Sequence, residues 1–382
     1  MVSKEANAFS ELRECDVGPA EGAGTGGLEI CTPRASLRAG MSLDGPGRWP
    51  GRKHTYAALD LGTNNCRLLI ARAAPAGAGQ DGFRVIDSFS RIVRLGEGLS
   101  RTGELSAAAI ERTLRALEIC RDKMSARGVT RARLIATEAC RSASNSAEFL
   151  AKVHDATGLE LEIVDRETEA RLAAAGSASL VDSAAESAVL FDIGGGSSEL
   201  VWLARGPSPC PQGGGMALDE CIRFWVSLKI GVVTLAEEFG GIEVSSATFE
   251  AMVDYVVVEL ESFVAMADGE RRGRNFHLLG TSGTVTTIAG IFLGLARYER
   301  RRVDGLWMSS CEVDHTVAIL RKMTYAERAA NGCIGQARAD LVLAGCAILE
   351  AIRRVFPAER IRIADRGLRD GMLIKLMSAD RI

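Results

Sequence analysis

Two glycine-led turns, each preceded by an aspartate, are the first feature of this sequence that could do chemistry. Asp60-Leu61-Gly62-Thr63-Asn64 and Asp192-Ile193-Gly194-Gly195-Gly196 both follow an apolar run and share the same order of residue types. Glycine lets backbone amides approach an anion closely, and an aspartate at a strand end can bind Mg²⁺ or orient a water. One such turn would be explained as an ordinary tight hairpin. Its repetition predicts an internal duplication with one phosphate-type loop in each copy.

A third glycine-rich loop, Gly280-Thr281-Ser282-Gly283-Thr284, precedes the apolar segment 285–296. Its amides would lie at a helix N-terminus, where the helix dipole attracts anions, although an ordinary Ser or Thr helix cap explains the loop equally well. The loop lacks the Gly-Lys-Ser/Thr of a Walker A motif, and no predicted strand leads into a Rossmann glycine motif. Neither a P-loop NTPase nor a Rossmann dinucleotide site is indicated.

Arg141 and two glutamates are the other chemical candidates. Arg141 follows a predicted strand and could donate paired hydrogen bonds to a phosphoryl oxygen, but a surface arginine on a helix is the simpler interpretation. Glu167 and Glu169 lie two residues apart, on different faces of a predicted helix, so only one of them can face a cleft. A solvated helix face would account for this pair as well.

Apolar runs alternate with helical stripes, and together they predict the elements that position these residues. Each aspartate turn lies between two apolar runs, which predicts a β-hairpin. The predicted strands are 56–61, 66–71, 134–137, 161–164, 188–193, 199–204 and 276–279, and the predicted helices are 102–127, 147–157, 167–178, 285–296 and 341–352. This alternation predicts an α/β protein with central sheets.

Composition is that of an ordinary globular protein. The chain has 382 residues, with 46 Lys+Arg against 49 Asp+Glu, which at about 150 residues per domain predicts about two domains. The balanced charge excludes wholesale electrostatic binding of DNA or of an anionic membrane, and no apolar run reaches the roughly 18 residues that span a bilayer. Two basic runs, 271–274 and 297–302, could hold a polyanion near the third loop, although most charge runs are only solvated.

Residues 1–54 differ from the rest of the chain. They are rich in glycine and have no apolar periodicity, which predicts a disordered N-terminal tail. The ten cysteines are scattered, without a CxxC pair or zinc-ligand spacing. Because disulfide frameworks are typical of small secreted chains, we expect a cytoplasmic protein.

The sequence resembles the exopolyphosphatase/guanosine pentaphosphate phosphohydrolase (Ppx/GppA) family over residues 56–376. The motifs that carry the resemblance include ALDLGTNNCRL (58–68), ETEARL (167–172), FDIGGGSSEL (191–200), GTSGT (280–284) and ADRGLRDG (364–371). Kinases of the same fold group share the glycine loops but not the Glu-Ala-Arg-Leu element. The combination is therefore specific to this family.

The resemblance implies an α/β fold with two actin-like (ribonuclease H-like) domains and an active site in the cleft between them. Domain I would cover 55–178 together with the C-terminal helix 367–382, and domain II would cover 179–366. The implied cofactor is Mg²⁺ or another divalent cation, and the implied substrate is inorganic polyphosphate or pppGpp. The resemblance is also consistent with a homodimer.

The resemblance also assigns roles position by position. Glu169 matches the catalytic glutamate that activates water, and Asp192 and Glu199 match catalytic acids that bind metal and water. Thr168 stands where family members commonly carry a second glutamate, which favours Glu169 over Glu167 as the base. The residues placed in phosphate binding are Asp60, Gly62, Thr63, Asn64, Arg141, Gly194, Gly195, Gly196, Ser197, Gly280, Ser282 and Gly283.

These roles predict in-line attack of water on a terminal phosphoanhydride. An ATP-dependent kinase of the same fold group and a non-catalytic polyphosphate or alarmone sensor stay as alternatives. Polyphosphate and pppGpp cannot be separated from the sequence because both end in a phosphoanhydride. The resemblance stops near Met377, so we expect the helical C-terminal domains of long family members to be absent.

Overall fold

Two mixed β-sheets form the scaffold of the protein. The computed structural model describes residues 54–74, 82–204, 221–271 and 275–380. The first sheet contains β1 (Thr55–Leu61), β2 (Asn65–Ala73), β3 (Phe83–Ile92), β4 (Arg131–Ala136) and β5 (Glu162–Ile163), in the order β3-β2-β1-β4-β5. The second contains β6 (Ser187–Ile193), β7 (Ser198–Ala204), β8 (Ile222–Leu228), β9 (Phe276–Thr281), β10 (Trp307–Ser309) and β11 (Arg360–Ala364), in the order β10-β11-β9-β6-β7-β8.

Helices cover these sheets. Those of the first half are α1 (Leu99–Thr102), α2 (Ala107–Ala126), α3 (Glu138–Ser142), α4 (Ser146–Thr157) and α5 (Arg166–Ser177). Those that follow are α6 (Val232–Phe239), α7 (Ser246–Arg271), α8 (Gly283–Phe292), α9 (Arg300–Val303), α10 (Ser310–Lys322), α11 (Tyr325–Ala330), α12 (Val342–Val355) and α13 (Leu368–Ala379). In the part of the chain that the structure describes, no helix is both long and apolar enough to cross a membrane.

The two sheets repeat one topology. In the first, β1, β2 and β3 are joined as successive antiparallel pairs, and β4 runs parallel to β1 on its other side. In the second, β6, β7 and β8 form the same antiparallel series, and β9 runs parallel to β6. The aspartate turns join β1 to β2 and β6 to β7, so they occupy equivalent places in the two sheets. The predicted α/β class and the internal duplication are confirmed.

The predicted domain limits stay predictions. All described residues belong to one compact unit, so the contacts within the chain do not test the limits 55–178 and 179–366. The predicted N-terminal tail, apart from His54, lies outside the described residues.

Burial and capping explain where the elements lie. The strands β1, β6 and β7 are buried along nearly their whole length, as expected for central strands with both faces covered. The helix predicted over 102–127 begins only at Ala107, because the Ser106 side chain accepts a hydrogen bond from the amide of Ala109 and caps it there. The helix predicted over 285–296 already ends at Phe292.

The last helix, α13, returns to the first sheet. Its residues Leu368, Met372 and Leu373 lie in one buried cluster with Tyr56 and Ala58 of β1. The second half has its own core, in which α7, α8 and α12 pack against the second sheet. Each sheet is therefore covered by helices, but the first sheet depends on the C-terminal end of the described chain.

Helices α5 and α13 cross with their backbones in contact. A Cβ atom on Gly176 would lie 1.9 Å from the carbonyl oxygen of Gly367, and one on Gly371 would lie 2.0 Å from the carbonyl oxygen of Leu172. Neither obstacle is a flexible side chain. Glycine is required at this crossing because the two backbones leave no room for a methyl group.

We predict that Gly176→Ala lowers the free energy of unfolding by about 3 kcal/mol, since the added methyl group overpacks the crossing. Urea denaturation followed by circular dichroism measures this change. Gly269→Ala is the matched control: this exposed helical glycine of α7 has no neighbour within 4 Å of the added Cβ. The control is expected to change stability by no more than about 1 kcal/mol. Equal effects of the two substitutions would contradict the close crossing.

Candidate active site

A cavity of about 560 Å³ lies between the two sheets. Both aspartate turns line it, together with the start of α8 and the segment 364–369. The predicted site residues that line it are Asp60, Gly62, Thr63, Asn64, Glu169, Asp192, Gly194, Gly195, Gly196, Ser197, Glu199, Ser282 and Gly283. Residues far apart in the sequence therefore share one site, while Gly280 and Arg141 do not line it.

The two aspartate turns face each other at close range. A Cβ atom on Gly195 would lie 3.0 Å from the backbone nitrogen of Asn64, and one on Gly196 would lie 2.6 Å from the Thr63 hydroxyl oxygen. The second turn is held by the start of α6, where Val232 donates a backbone hydrogen bond of 3.0 Å to the carbonyl of Gly194. Glycine at 195 and 196 is therefore what permits the two turns to meet.

Strand register brings charged side chains to one face beside each turn. In the antiparallel pair β6–β7, Asp192 lies directly opposite Glu199. In the equivalent pair β1–β2, Asp60 lies directly opposite Arg67. Directly opposed residues project from the same face with Cβ atoms about 5 Å apart. The duplicated hairpins therefore present two acids from the second sheet and an acid with a base from the first.

Burial raises the pKa of four acids that line the cavity. For Asp192, burial raises the pKa to about 6, with Arg67 opposing the shift in part. For Glu199, burial and then the neighbouring Asp192 raise the pKa to about 7. Burial, followed by repulsion from Glu199, raises the pKa of Glu169 well above its ordinary value. The pKa of Asp60 is also raised by burial. These groups are costly to ionise until a cation or a hydrogen-bonded ligand compensates them.

Glu169 lies in the first turn of α5 and faces the cavity. The helix begins where the Asp165 side chain accepts a hydrogen bond of 2.7 Å from the amide of Thr168. This start turns Glu169, 9% exposed, inward. Glu167 lies on another face and pairs with Arg171 at 2.9 Å in partial exposure to solvent. Of the two glutamates, the structure places Glu169 in the cleft.

Two of the predicted phosphate ligands lie behind the cavity wall. Arg141 directs its guanidinium to carboxylates and to a backbone carbonyl, with a bond of 3.0 Å to Oε2 of Glu169. Gly280 packs beneath the third loop, where an added Cβ would lie 2.7 Å from the ring of Phe191. The loop itself reaches the cavity through Ser282, whose φ of 115° is unusual for a residue other than glycine, and through Gly283.

Besides Arg366, which is ion-paired with Asp304, three arginines that were neither among the predicted site residues nor in the basic runs line the cavity: Arg67, Arg338 and Arg369. Within the described residues, none of their guanidinium groups makes a hydrogen bond or an ion pair. Two of them converge on the third loop, since a Cβ on Gly283 would lie 3.5 Å from Nη1 of Arg338 and 3.8 Å from Nη2 of Arg67. We call Arg67, Arg338 and Arg369 the open arginines.

The open arginines repel one another. Burial and then the charge of Arg67 lower the pKa of both Arg338 and Arg369. A cluster of partly buried cations without hydrogen-bonding partners is unfavourable unless an anion lies among them. Sequence signals for two of these residues were available, since Arg67 and Arg369 stand inside the motifs at 58–68 and 364–371. No local signal marked Arg338.

One of the two basic runs reaches the cavity. Residues 272–274 of the first run lie outside the described residues. In the second run, Arg300 lines the cavity, but its guanidinium lies 3.5 Å from both Asp365 and Asp370. These two acids neutralise much of its charge, so the open arginines supply the guanidinium groups of the site that have no direct ion-pair partner among the described residues.

Comparison with known proteins agrees with this geometry. The model of the Ppx/GppA phosphatase family matches residues 70–380. The chain belongs to this family. A solved Ppx/GppA family structure from Aquifex aeolicus shares 25% identity and a TM-score of 0.67, covering 86% of this chain and 99% of that one. An exopolyphosphatase structure from Cytophaga hutchinsonii, with 22% identity and a TM-score of 0.75, has the same fold.

Curated relatives of this Ppx/GppA family chain carry several names. Exopolyphosphatase 2 of Mycobacterium tuberculosis is 27% identical over 330 residues, which cover 84% of this chain and 98% of that protein. The guanosine-5'-triphosphate,3'-diphosphate pyrophosphatase of Photobacterium profundum is 28% identical over 338 residues, and the match spans 60% of its length. A bifunctional 3-dehydroquinate synthase/phosphatase of Fusobacterium nucleatum is 27% identical, and the match spans 44% of its length.

The donor set of the cavity suits the divalent cation that the family resemblance implies. Among the described residues, no group of three or more His, Cys, Asp or Glu side chains is arranged to hold a metal ion. Mg²⁺ is, however, commonly bound through one or two carboxylates, with substrate phosphates and waters completing its ligands. Asp192 and Glu199, opposed across one β-hairpin, supply such a pair of oxygen donors.

We predict that Glu199→Gln stabilises this Ppx/GppA family protein at pH 8 in the absence of divalent cations. The raised pKa of Glu199 means that stability is lost as the pH rises towards about 7, because the buried carboxyl must then ionise. Glutamine avoids this loss and still accepts the 2.8 Å hydrogen bond from Ser227. The free energy of unfolding of the variant is expected to exceed that of the wild type by about 3 kcal/mol at pH 8, and this difference is expected to become smaller towards pH 5.

Thermal unfolding in EDTA at the two pH values measures this gain. Glu111→Gln, at an exposed position of α2 outside the cavity, is the control for the exchange itself. An unchanged or lower Tm of Glu199→Gln at pH 8 would show that the carboxylate is already compensated within the protein.

Proposed function

We propose that this protein hydrolyses terminal phosphoanhydrides, releasing orthophosphate from inorganic polyphosphate or converting pppGpp to ppGpp. The observation that carries the proposal is a single cavity lined by two facing glycine turns, buried Glu169 and the open arginines. The names of the Mycobacterium and Photobacterium relatives support these substrate classes. Polyphosphate and pppGpp share the feature that the site would recognise, a terminal phosphoryl group on a polyanionic chain.

In this proposal Glu169 orients and deprotonates the attacking water. Its Oε2 accepts the hydrogen bond from Arg141, while Oε1 accepts none from the described residues. One oxygen is therefore fixed and the other is available to a water on the cavity side. The raised pKa strengthens the carboxylate as a base, and positioned proton transfer contributes typically about 10²- to 10⁴-fold to a rate.

The glycine turns and the open arginines would stabilise the charge of the transition state. Phosphoryl transfer passes through a loose transition state whose charge lies on the phosphoryl oxygens, so fixed donors matter more than covalent chemistry. The turns offer backbone amides at close range, and the arginines offer guanidinium donors that no hydrogen bond or ion pair within the described structure engages. This complementarity favours a substrate with several adjacent phosphates.

Asp192 and Glu199 would hold a divalent cation beside the second turn. When bound, Mg²⁺ supplies positive charge that neutralises oxygens of the reacting phosphates. It would also compensate the two carboxylates, which burial otherwise disfavours in their ionised forms. We therefore expect activity to depend on added Mg²⁺ and to be abolished by EDTA.

A direct assay tests the proposal. The purified full chain is incubated with long-chain polyphosphate, tripolyphosphate or pppGpp, with and without Mg²⁺, and orthophosphate release is measured. A parallel set contains ATP and candidate phosphoryl acceptors. We expect Mg²⁺-dependent release from at least one of the first three substrates and no transfer from ATP. Transfer from ATP to an acceptor would indicate a kinase, and tight binding of the polyanions without release would indicate a sensor.

We predict that Glu169→Gln lowers kcat by at least about 100-fold while changing KM by less than about threefold, because the amide keeps the shape of the side chain but cannot accept the proton. Phosphate release under saturating substrate measures kcat. Glu167→Gln is the matched control: it lies two residues away on the same helix, faces solvent and is expected to retain near wild-type turnover. Similar losses in both variants, or none in Glu169→Gln, would remove Glu169 from this role.

A further inference from the structure

The side chain of Arg141 is almost fully engaged by protein groups. Its Nε and Nη2 donate to Oε2 of Glu138 at 3.0 and 2.7 Å, Nη1 donates to the carbonyl of Val164 at 2.6 Å, and Nη2 also donates to Oε2 of Glu169 at 3.0 Å. A guanidinium has five N–H donors, so these four bonds leave one. A paired hydrogen bond from Arg141 to a phosphate would require breaking bonds within the protein.

Glu138 is the centre that holds Arg141 in place. It is 7% exposed at the start of α3 and accepts hydrogen bonds from both Arg141 and Arg166, as well as a bond of 2.7 Å from the Ser142 hydroxyl. Burial opposes ionisation of Glu138, but the hydrogen bonds from Ser142, Arg141 and Arg166 outweigh it and lower its pKa. Glu138 is thus a fixed anion beside the cavity.

These four charged groups balance one another. Glu138 contributes one negative charge and Glu169 contributes a second when it is ionised, while Arg141 and Arg166 contribute two positive charges. The cluster therefore needs no external anion. The open arginines differ in this respect, since none of them has a hydrogen-bonding partner among the described residues. The open arginines therefore face the cavity, whereas Arg141 and Arg166 belong to the ion-pair cluster in the wall behind it.

We propose that Glu138 and Arg141 are positioning residues that fix the carboxylate of Glu169, and that Arg141 does not bind the phosphates of the substrate. The guanidinium of Arg141 donates both to the carbonyl of Val164, just before α5, and to Glu169 in the first turn of α5. It therefore fixes the position of the helix start and the direction of the Glu169 carboxylate. Because Arg141 holds Oε2 of Glu169, Oε1 of the same carboxylate is available to the attacking water. This inference rests on the proposed function and departs from the role that the family resemblance assigns to Arg141.

Kinetics of paired arginine variants test the proposal. Arg141→Lys keeps the charge but cannot reach Glu138, Val164 and Glu169 together, so we expect kcat to fall at least about tenfold while KM changes less than about threefold. Arg338→Gln removes an open arginine, and its KM is expected to rise at least about tenfold with a smaller change in kcat. Arg115→Lys, an exposed arginine of α2, is the control for the conservative exchange.

Glu138→Gln tests the cluster without altering any cation. An anion cannot itself attract phosphate, so a fall in kcat at constant KM in this variant reports on the position of Glu169. The double variant Glu138→Gln/Arg141→Lys should lose little more than Arg141→Lys alone, because both changes release the same carboxylate. If Arg141→Lys does not fold, as judged by circular dichroism, the result for Glu138→Gln decides: wild-type kcat there overturns the proposal.

Binding without turnover provides a second measure. In a Glu169→Gln background, the Kd for tripolyphosphate is measured by calorimetry with and without Arg141→Lys or Arg338→Gln. We expect only Arg338→Gln to weaken binding. An equally large increase in Kd or KM for Arg141→Lys would show that Arg141 binds phosphate and would overturn this inference alone. A wild-type protein that releases no phosphate from any substrate would instead overturn the proposed function.

Discussion

The site depends on the close approach of two backbone turns. Gly195 and Gly196 bring the second turn against Thr63 and Asn64 of the first, at distances where an added side chain would force the turns to shift. Because each turn is the end of a central hairpin, this contact also fixes the two sheets relative to the cavity between them. A phosphoryl group bound here would be surrounded by amides from both halves of the chain.

The charges around the cavity are arranged for a ligand rather than for the stability of the empty protein. Buried Asp192 and Glu199 have raised pKa values, and Arg338 and Arg369 have lowered ones, so both signs of charge are held in unfavourable surroundings. Such costs are typical of functional sites, where complementarity to a bound group outweighs the stability of the free protein. A polyanion accompanied by a divalent cation would relieve both costs at once.

Local patterns predicted the elements that repeat and missed those that depend on tertiary packing. The duplicated turns were visible because an Asp, an apolar residue and a glycine recur after each apolar run. The edge strand β3 has no continuous apolar run, and all its side chains are partly or largely exposed without a regular alternation, so no clear signal was present. Helix α7 buries Val253, Val256 and Leu260 against the second sheet, but intervening apolar residues obscure its period.

The same distinction applies to the site. Asp60, Asp192 and Glu199 follow from strand ends and hairpin register, which short sequence motifs encode. The surroundings of Arg141 follow only in part: Glu138 lies three residues away on the same helix, whereas Val164 and Glu169 come from another segment and meet Arg141 only in the folded chain. The position of Arg338 beside Gly283 is likewise set by packing rather than by local sequence.

The return of α13 to the first sheet has a consequence for folding during synthesis. Tyr56 and Ala58 leave the ribosome early, yet part of their apolar cover, Met372 and Leu373, is translated more than 300 residues later. One face of the first sheet therefore lacks part of its apolar cover until the second half of the chain has been synthesised. Such long-range closure slows folding and exposes apolar surface.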